Sequence, residues 1–217
     1  MKRRLKLAVD VLMFAAFCYL TGYHPGAGVL AHGIVGITLF ALFIIHHLLN
    51  LGWYKALPKG KHPFERSAFI ALDFIFFADM ILMAISSVLM SELVFAFSPI
   101  HSTQFGRSLH VGSTSWGFLI MTLHVGLHLD GKLTKLERKL KSAVSRTVYK
   151  LICAALFCAG IASLFNTGLA GKLILRTSWA SHTPIFYIEL LLITTAAVLL
   201  VHFIYSLRRK LKQRHKH

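Results

Sequence analysis

Six stretches of the chain stay apolar for about the length needed to cross the hydrocarbon layer of a bilayer, and each is bounded by polar or basic residues. They lie at about 6–23, 27–51, 67–91, 107–129, 148–168 and 184–207. Backbone groups in lipid must be paired within their own segment, so all six are expected to be helices. The pattern predicts an all-α integral membrane protein, a single domain over residues 1–217 built as a six-transmembrane-helix bundle. Leu133, Leu136, Leu140 and Val144 recur among Lys132, Lys135, Arg138, Lys139 and Lys141. That amphipathic pattern predicts a surface helix over about 132–146, with an extension of the flanking helices as the alternative.

Composition agrees with the pattern: 56% of the 217 residues are hydrophobic. A net charge of +16 would suggest nucleic acid in a soluble protein, so its distribution decides the partner. Lys and Arg number four at the N-terminus (Lys2, Arg3, Arg4, Lys6), four in the second connection (Lys55, Lys59, Lys61, Arg66), seven in the fourth (Lys132 to Lys150) and six in the C-terminal tail (Arg208 to Lys216). Only Arg107, Lys172 and Arg176 fall in the alternate connections. This is a positive-inside bias, which explains the charge without nucleic acid and predicts that both termini are cytoplasmic. The basic start and first apolar run imitate a signal peptide, but the bias requires an even number of helices and so keeps that segment. Cys18, Cys153 and Cys158 fall within apolar runs as small packing residues, and no Cys-x-x-Cys-His stands in the chain for covalent haem attachment. No glycine-rich nucleotide loop appears either.

The chemistry lies in a histidine pattern that occurs twice. His32 precedes His46-His47 by 14 residues, and His110 precedes His124 by 14, with His128 four further on. Fourteen helical steps bring the second ring to within about 40° of the first and about 21 Å further along. Two such helices offer imidazole pairs at two depths, which is a ligand set for two bis-histidine b haems: His32 with His110, and His46 with His124. Adjacent His46 and His47 point about 100° apart, so they cannot both serve one iron. His47 and His128 remain alternatives for the inner site, or donors to a propionate or quinone. A histidine in a membrane helix can also be a packing residue bonded to a nearby carbonyl, but ionisable groups in lipid are costly and tend to mark a functional path.

Several other residues bear on that site. Arg107, one turn before His110, suits a haem propionate or an interfacial anchor equally. Gly33 and Gly36 follow the outer histidine, where a flat group or a neighbouring helix approaches the backbone. Asp10 is expected to pair with Arg3, Arg4 or Lys6. Asp73 and Asp79 are about 240° apart around their helix, so they are not a paired acid site; Asp79, near mid-membrane, needs a partner or a proton. Glu189 is a further candidate for proton or quinol chemistry. Trp53-Tyr54 and Trp179 fit interfacial anchors, Tyr23-His24-Pro25-Gly26 a tight turn, and 92–106, with His101, an exposed outer connection. His182 and His202 are 20 apart and face opposite ways.

Within about residues 1–130, Leu30-Ala31-His32, Ile45-His46-His47-Leu48-Leu49-Asn50 with Trp53-Tyr54-Lys55, Arg107-Ser108-Leu109-His110 and Leu123-His124-Val125-Gly126-Leu127-His128 resemble the bacterial flavinylation-associated membrane cytochrome b family. They are similar more distantly to cytochrome b and ferric reductase transmembrane domains. The resemblance implies a bacterial inner-membrane protein with two non-covalent b haems and transmembrane electron transfer. It also implies an extracytoplasmic partner of the flavinylated FMN-binding kind. The last two apolar runs carry no matching motif, so the resemblance does not extend to a quinone site. The expected role is an electron-transfer subunit of an oxidoreductase, of quinol dehydrogenase or ferric reductase type. Electrons would pass from quinol or a cytoplasmic donor to an extracytoplasmic flavoprotein or metal acceptor. A haem-free metal-cation transporter and a membrane anchor subunit are the alternatives.

Overall fold

The computed structural model describes residues 2–22, 28–61, 63–90, 103–176 and 184–214. These residues form eight helices and no strand: α1 (Lys2–Thr21), α2 (Val29–Leu49), α3 (Leu51–Ala56), α4 (Phe64–Met90), α5 (Gln104–Lys139), α6 (Ala143–Asn166), α7 (Leu169–Leu173) and α8 (Pro184–Arg214). The turn at 23–26, most of the 92–106 connection, Trp179 and His182 lie outside the described residues.

The protein is a helical membrane protein, but four helices rather than six are long and apolar enough to cross a membrane: α2, α4, α6 and α8. The six-span bundle, and with it a fold defined by two haems between its second and fourth spans, is corrected on this point. The physical reason is polarity. Lys2, Arg3, Arg4, Lys6 and Asp10 all lie within α1, and charges cost about 2.5–3.5 kcal/mol each at the centre of a span. The stretch of α5 from Ser108 to His128 carries Ser113, Thr114, Ser115, Thr122 and three histidines. The expected surface helix is also divided. Residues 132–139 continue α5 without a break, and α6 begins at Ala143 behind Ser142, whose side chain accepts the Ser145 N–H at 3.0 Å. That is an N-cap satisfying an orphan amide, so the new helix starts there.

The chain forms two compact units, Met1–Thr114 and Ser115–His217. In the first, α1 packs on α2, with Val9 and Phe17 of α1 and Leu39 and Phe43 of α2 buried. Phe43 meets Phe77 of α4 with ring centroids 5.6 Å apart. Asn50 closes α2: its backbone N–H reaches the His46 and His47 carbonyls, and its side-chain amide donates to the His46 carbonyl at 2.8 Å. Trp53 and Tyr54 then pack inward, Trp53 with its centroid 6.1 Å from that of Phe74 and Tyr54 against His47. Arg66 gathers the carbonyls of Ala56, Leu57, Lys59 and Lys61 at 2.6–3.3 Å, fixing the basic loop.

In the second unit α6 packs closely along α8. A Cβ on Gly160 would stand 2.4 Å from the Leu192 carbonyl oxygen and 2.5 Å from Ala196 Cβ, so only glycine permits this approach. Gly126 of α5 allows a similar one, with Val198 and Val201 at 3.0–3.2 Å. Gly168, at φ 69°, makes the left-handed turn into α7. The Trp116 indole N–H donates to the Leu173 carbonyl at the end of α7, at 3.1 Å.

Candidate functional site

Of the histidine pairs expected from the sequence, the structure brings His32 and His110 together within the first unit. Their ring centroids are 6.1 Å apart and the rings are inclined at 71°. Two imidazoles binding one metal from opposite sides, at about 2.0 Å per metal–nitrogen bond, place their centroids roughly 6 Å apart. The spacing therefore fits a bis-histidine iron site.

The tautomer of His110 fits as well. The hydroxyls of Ser86 and Ser87 each donate to the Met83 carbonyl, at 2.8 and 2.7 Å. A hydroxyl has one proton to give. Both oxygens therefore face His110 Nδ1, at 3.2 and 3.3 Å, as acceptors. In the tautomer that matches these acceptors His110 carries its proton on Nδ1, which leaves the Nε2 lone pair for an acid or a metal. This arrangement, a ligand imidazole oriented by a hydrogen bond to its other nitrogen, is the usual outer shell of a metal-bound histidine. The serines were not singled out from the sequence. Their signal is a Ser-Ser pair near the end of an otherwise apolar run.

Gly36, one turn beyond His32, has nothing within 4 Å of where a Cβ would stand. Among the described residues no helix packs closely on this glycine. Arg107 is exposed on the first turns of α5, one turn from His110, which leaves its guanidinium accessible for a propionate or an interface.

His46 Nδ1 donates to Asp10 Oδ1 at 2.8 Å, so the expected Asp10 pairing with Arg3, Arg4 or Lys6 gives way to a histidine partner on α2. Lys6 instead donates to Asn50 Oδ1 at 3.0 Å. The carboxylate on Nδ1 orients the ring, so a ligand role would fall to His46 Nε2. Adjacent His47 is held otherwise, with Nδ1 2.6 Å from the Tyr54 hydroxyl and its ring against Phe43 and Phe77. His124 and His128 belong to the second unit, where their ring centroids are 4.6 Å apart. The expected inner pair His46 and His124 is therefore divided between the two units.

The second unit holds a cluster that sequence spacing does not reveal. His202 Nδ1 donates to Asp130 Oδ1 at 2.7 Å, and Arg209 donates to both Asp130 oxygens at 2.7 and 3.3 Å. Glu137 lies 3.6 Å from His202 Nε2. Burial alone would push the Asp130 carboxyl up, but the hydrogen bonds from Arg209 and His202 more than offset it and hold the group below the usual carboxylate range. His202 has carboxylates at both ring nitrogens, so this cluster reads as an ionic tie between α5 and α8. Glu189 is half-buried on α8. Among the described residues, no group of three or more His, Cys, Asp or Glu side chains is placed to hold a metal ion.

Fold and site together define a helical membrane protein with a histidine pair of ligand geometry. No protein-family model, no curated protein and no solved structure matches the chain.

Proposed function

We propose that the protein is a membrane-embedded electron-transfer subunit in which His32 and His110 bind a b-type haem. The observation that carries this reading is the His32–His110 pair, with centroids 6.1 Å apart and His110 Nε2 left bare by the serine acceptors on its Nδ1. A haem iron held by two histidines has no open position, so it relays electrons rather than binding oxygen or substrate. The protein supplies ligands, orientation and an apolar surrounding. The 14-residue repeat in the sequence supplies histidines for a second haem, His46 with its Asp10 partner foremost among them.

The donor in this reading is quinol or a cytoplasmic reductant, and the acceptor a flavinylated FMN-binding protein or a metal ion outside a bacterial inner membrane. The stretch before α6 and the tail after α8 are separated by two spans and carry most of the Lys and Arg of their part of the chain, which favours the cytoplasmic side for both. A metal-cation permeation path is the weaker reading, because a compact ligand group is missing among the described residues.

The test is a dithionite-reduced minus oxidised visible spectrum of the purified protein, with haem per polypeptide measured on the same sample. Low-spin b-type bands are expected, and His110→Ala removes one haem. Folded protein from haem-replete cells that shows no haem signal would sink the proposal.

A further inference from the structure

Asp79 stands in the middle of α4 with 9% of its surface exposed. Its Oδ2 is buried and has no hydrogen-bond partner among the described residues. An isolated carboxylate in an apolar surrounding is strongly disfavoured, whereas a neutral carboxyl is tolerated. Asp79 is therefore at rest only with a proton, or with a positive charge nearby to take the proton's place.

Its place on α4 shows where that charge can arise. Met83 is one turn further on and Ser86 two turns, about 20° around the axis and roughly 10 Å along it. Met83 provides the carbonyl that both serine hydroxyls engage, and Ser86 is an acceptor for His110 Nδ1. Asp79 thus shares a helix face with the groups that orient His110. The other titratable and charged groups of the first unit on elements touching α4 are His32, His46 and His47 of α2, Tyr54 and Lys55 of α3, and Arg107 and His110 of α5. On α4 itself Asp73, six residues away and about 240° around the helix, is the nearest acid, and Glu65 and Arg66 stand at its start.

We infer that Asp79 is a proton-binding site coupled to the redox state of the His32–His110 centre. The inference rests on the proposed haem ligation. With the centre oxidised, its extra positive charge stabilises the Asp79 carboxylate. When one electron arrives from a quinol-class or other donor, that charge is cancelled and Asp79 takes one proton from water onto a carboxyl oxygen. One electron and one proton enter together on reduction and leave together on oxidation, so the site moves almost no net charge into lipid.

The experiment is a spectroelectrochemical titration of the purified protein between about pH 6 and about pH 8, with reduced-minus-oxidised infrared spectra and haem content on the same samples. The expected midpoint falls with rising pH by up to about 59 mV per unit, the one-electron equivalent of a tenfold change. A protonated-carboxyl C=O band appears on reduction. Asp79→Asn and Asp79→Ser, the second in case the first does not fold, abolish both signals, while Asp73→Asn keeps them. A pH-independent midpoint in the unmodified protein, or a slope that survives in either Asp79 variant, overturns the inference. Absence of haem overturns the relay reading instead. Infrared spectra of that haem-free protein then decide the proton site: a neutral-pH carboxyl band lost in Asp79→Asn supports it, and no such band overturns it.

Discussion

In the first unit α4 buries only 6% of its most apolar stretch inside the protein, whereas in the second α8 buries 39%. The polar groups differ in the same direction. His202 is buried and lies between two carboxylates of α5, one of them also held by Arg209. His110 is oriented by two neutral hydroxyls and turns toward another imidazole. The two histidines are told apart by what their ring nitrogens meet. An imidazole bonded to a carboxylate that an arginine also holds serves as structural glue, while one that faces neutral hydroxyls on a single nitrogen keeps the other for chemistry.

The strongest way to break this contrast is at Gly160. Gly160→Leu places a side chain where even a Cβ would sit 2.4 Å from the Leu192 carbonyl oxygen, and it is expected to cost about 3 kcal/mol or more through overpacking. Thermal unfolding in detergent reads the loss. A haem signal that disappears while the protein still folds would show that the two units are not separable in this way. His202→Ala follows, at about 2 kcal/mol, because a buried charge-assisted bond to Asp130 is lost. Haem content should not move, and a drop would assign His202 to the redox site.

A smaller effect is expected from Ser86→Ala combined with Ser87→Ala. The pair should weaken haem retention by about 10- to 100-fold, the usual penalty for deleting an outer-shell partner, as measured by haem transfer to an apo-globin acceptor. Unchanged retention would mean that the tautomer of His110 is fixed in another way. The smallest effect concerns acid. The folded-state pKa of Asp130 is held below the ordinary carboxylate value of about 3.9. Its contribution is therefore present above that value and is lost as pH falls through the depressed folded one. Unfolding midpoints of the protein and of Asp130→Asn should differ at neutral pH and converge in acid; parallel curves would refute the tie.

The histidine pair His32 and His110 was legible because it belongs to a pattern repeated on two helices, so coincidence was testable by counting residues. The Asp130–His202 contact was not, since the two are 72 residues apart and meet only through the packing of α5 and α8. Helix positions were largely readable from apolar runs, but run length overstated the number of spans. Lys and Arg at the start of α1 and the Ser, Thr and His content of α5 weigh against lipid, and a reading of run length alone passes over them. Helix α5 continues through Gly131. That glycine is exposed, and the residues after it, Lys132 to Lys139, are mostly good helix formers.

The bond from the Trp116 indole to the Leu173 carbonyl has an optical consequence. The chain has three tryptophans: Trp53 sits in the first unit against Phe74 and Trp116 in the second, tied to α7. With Trp179 replaced by phenylalanine, each unit carries a single native fluorophore in its own surroundings. Emission from Trp116 then reports release of α7 from α5, and emission from Trp53 reports the α3–α4 aromatic contact, so the melting of the two halves can be followed by their own light.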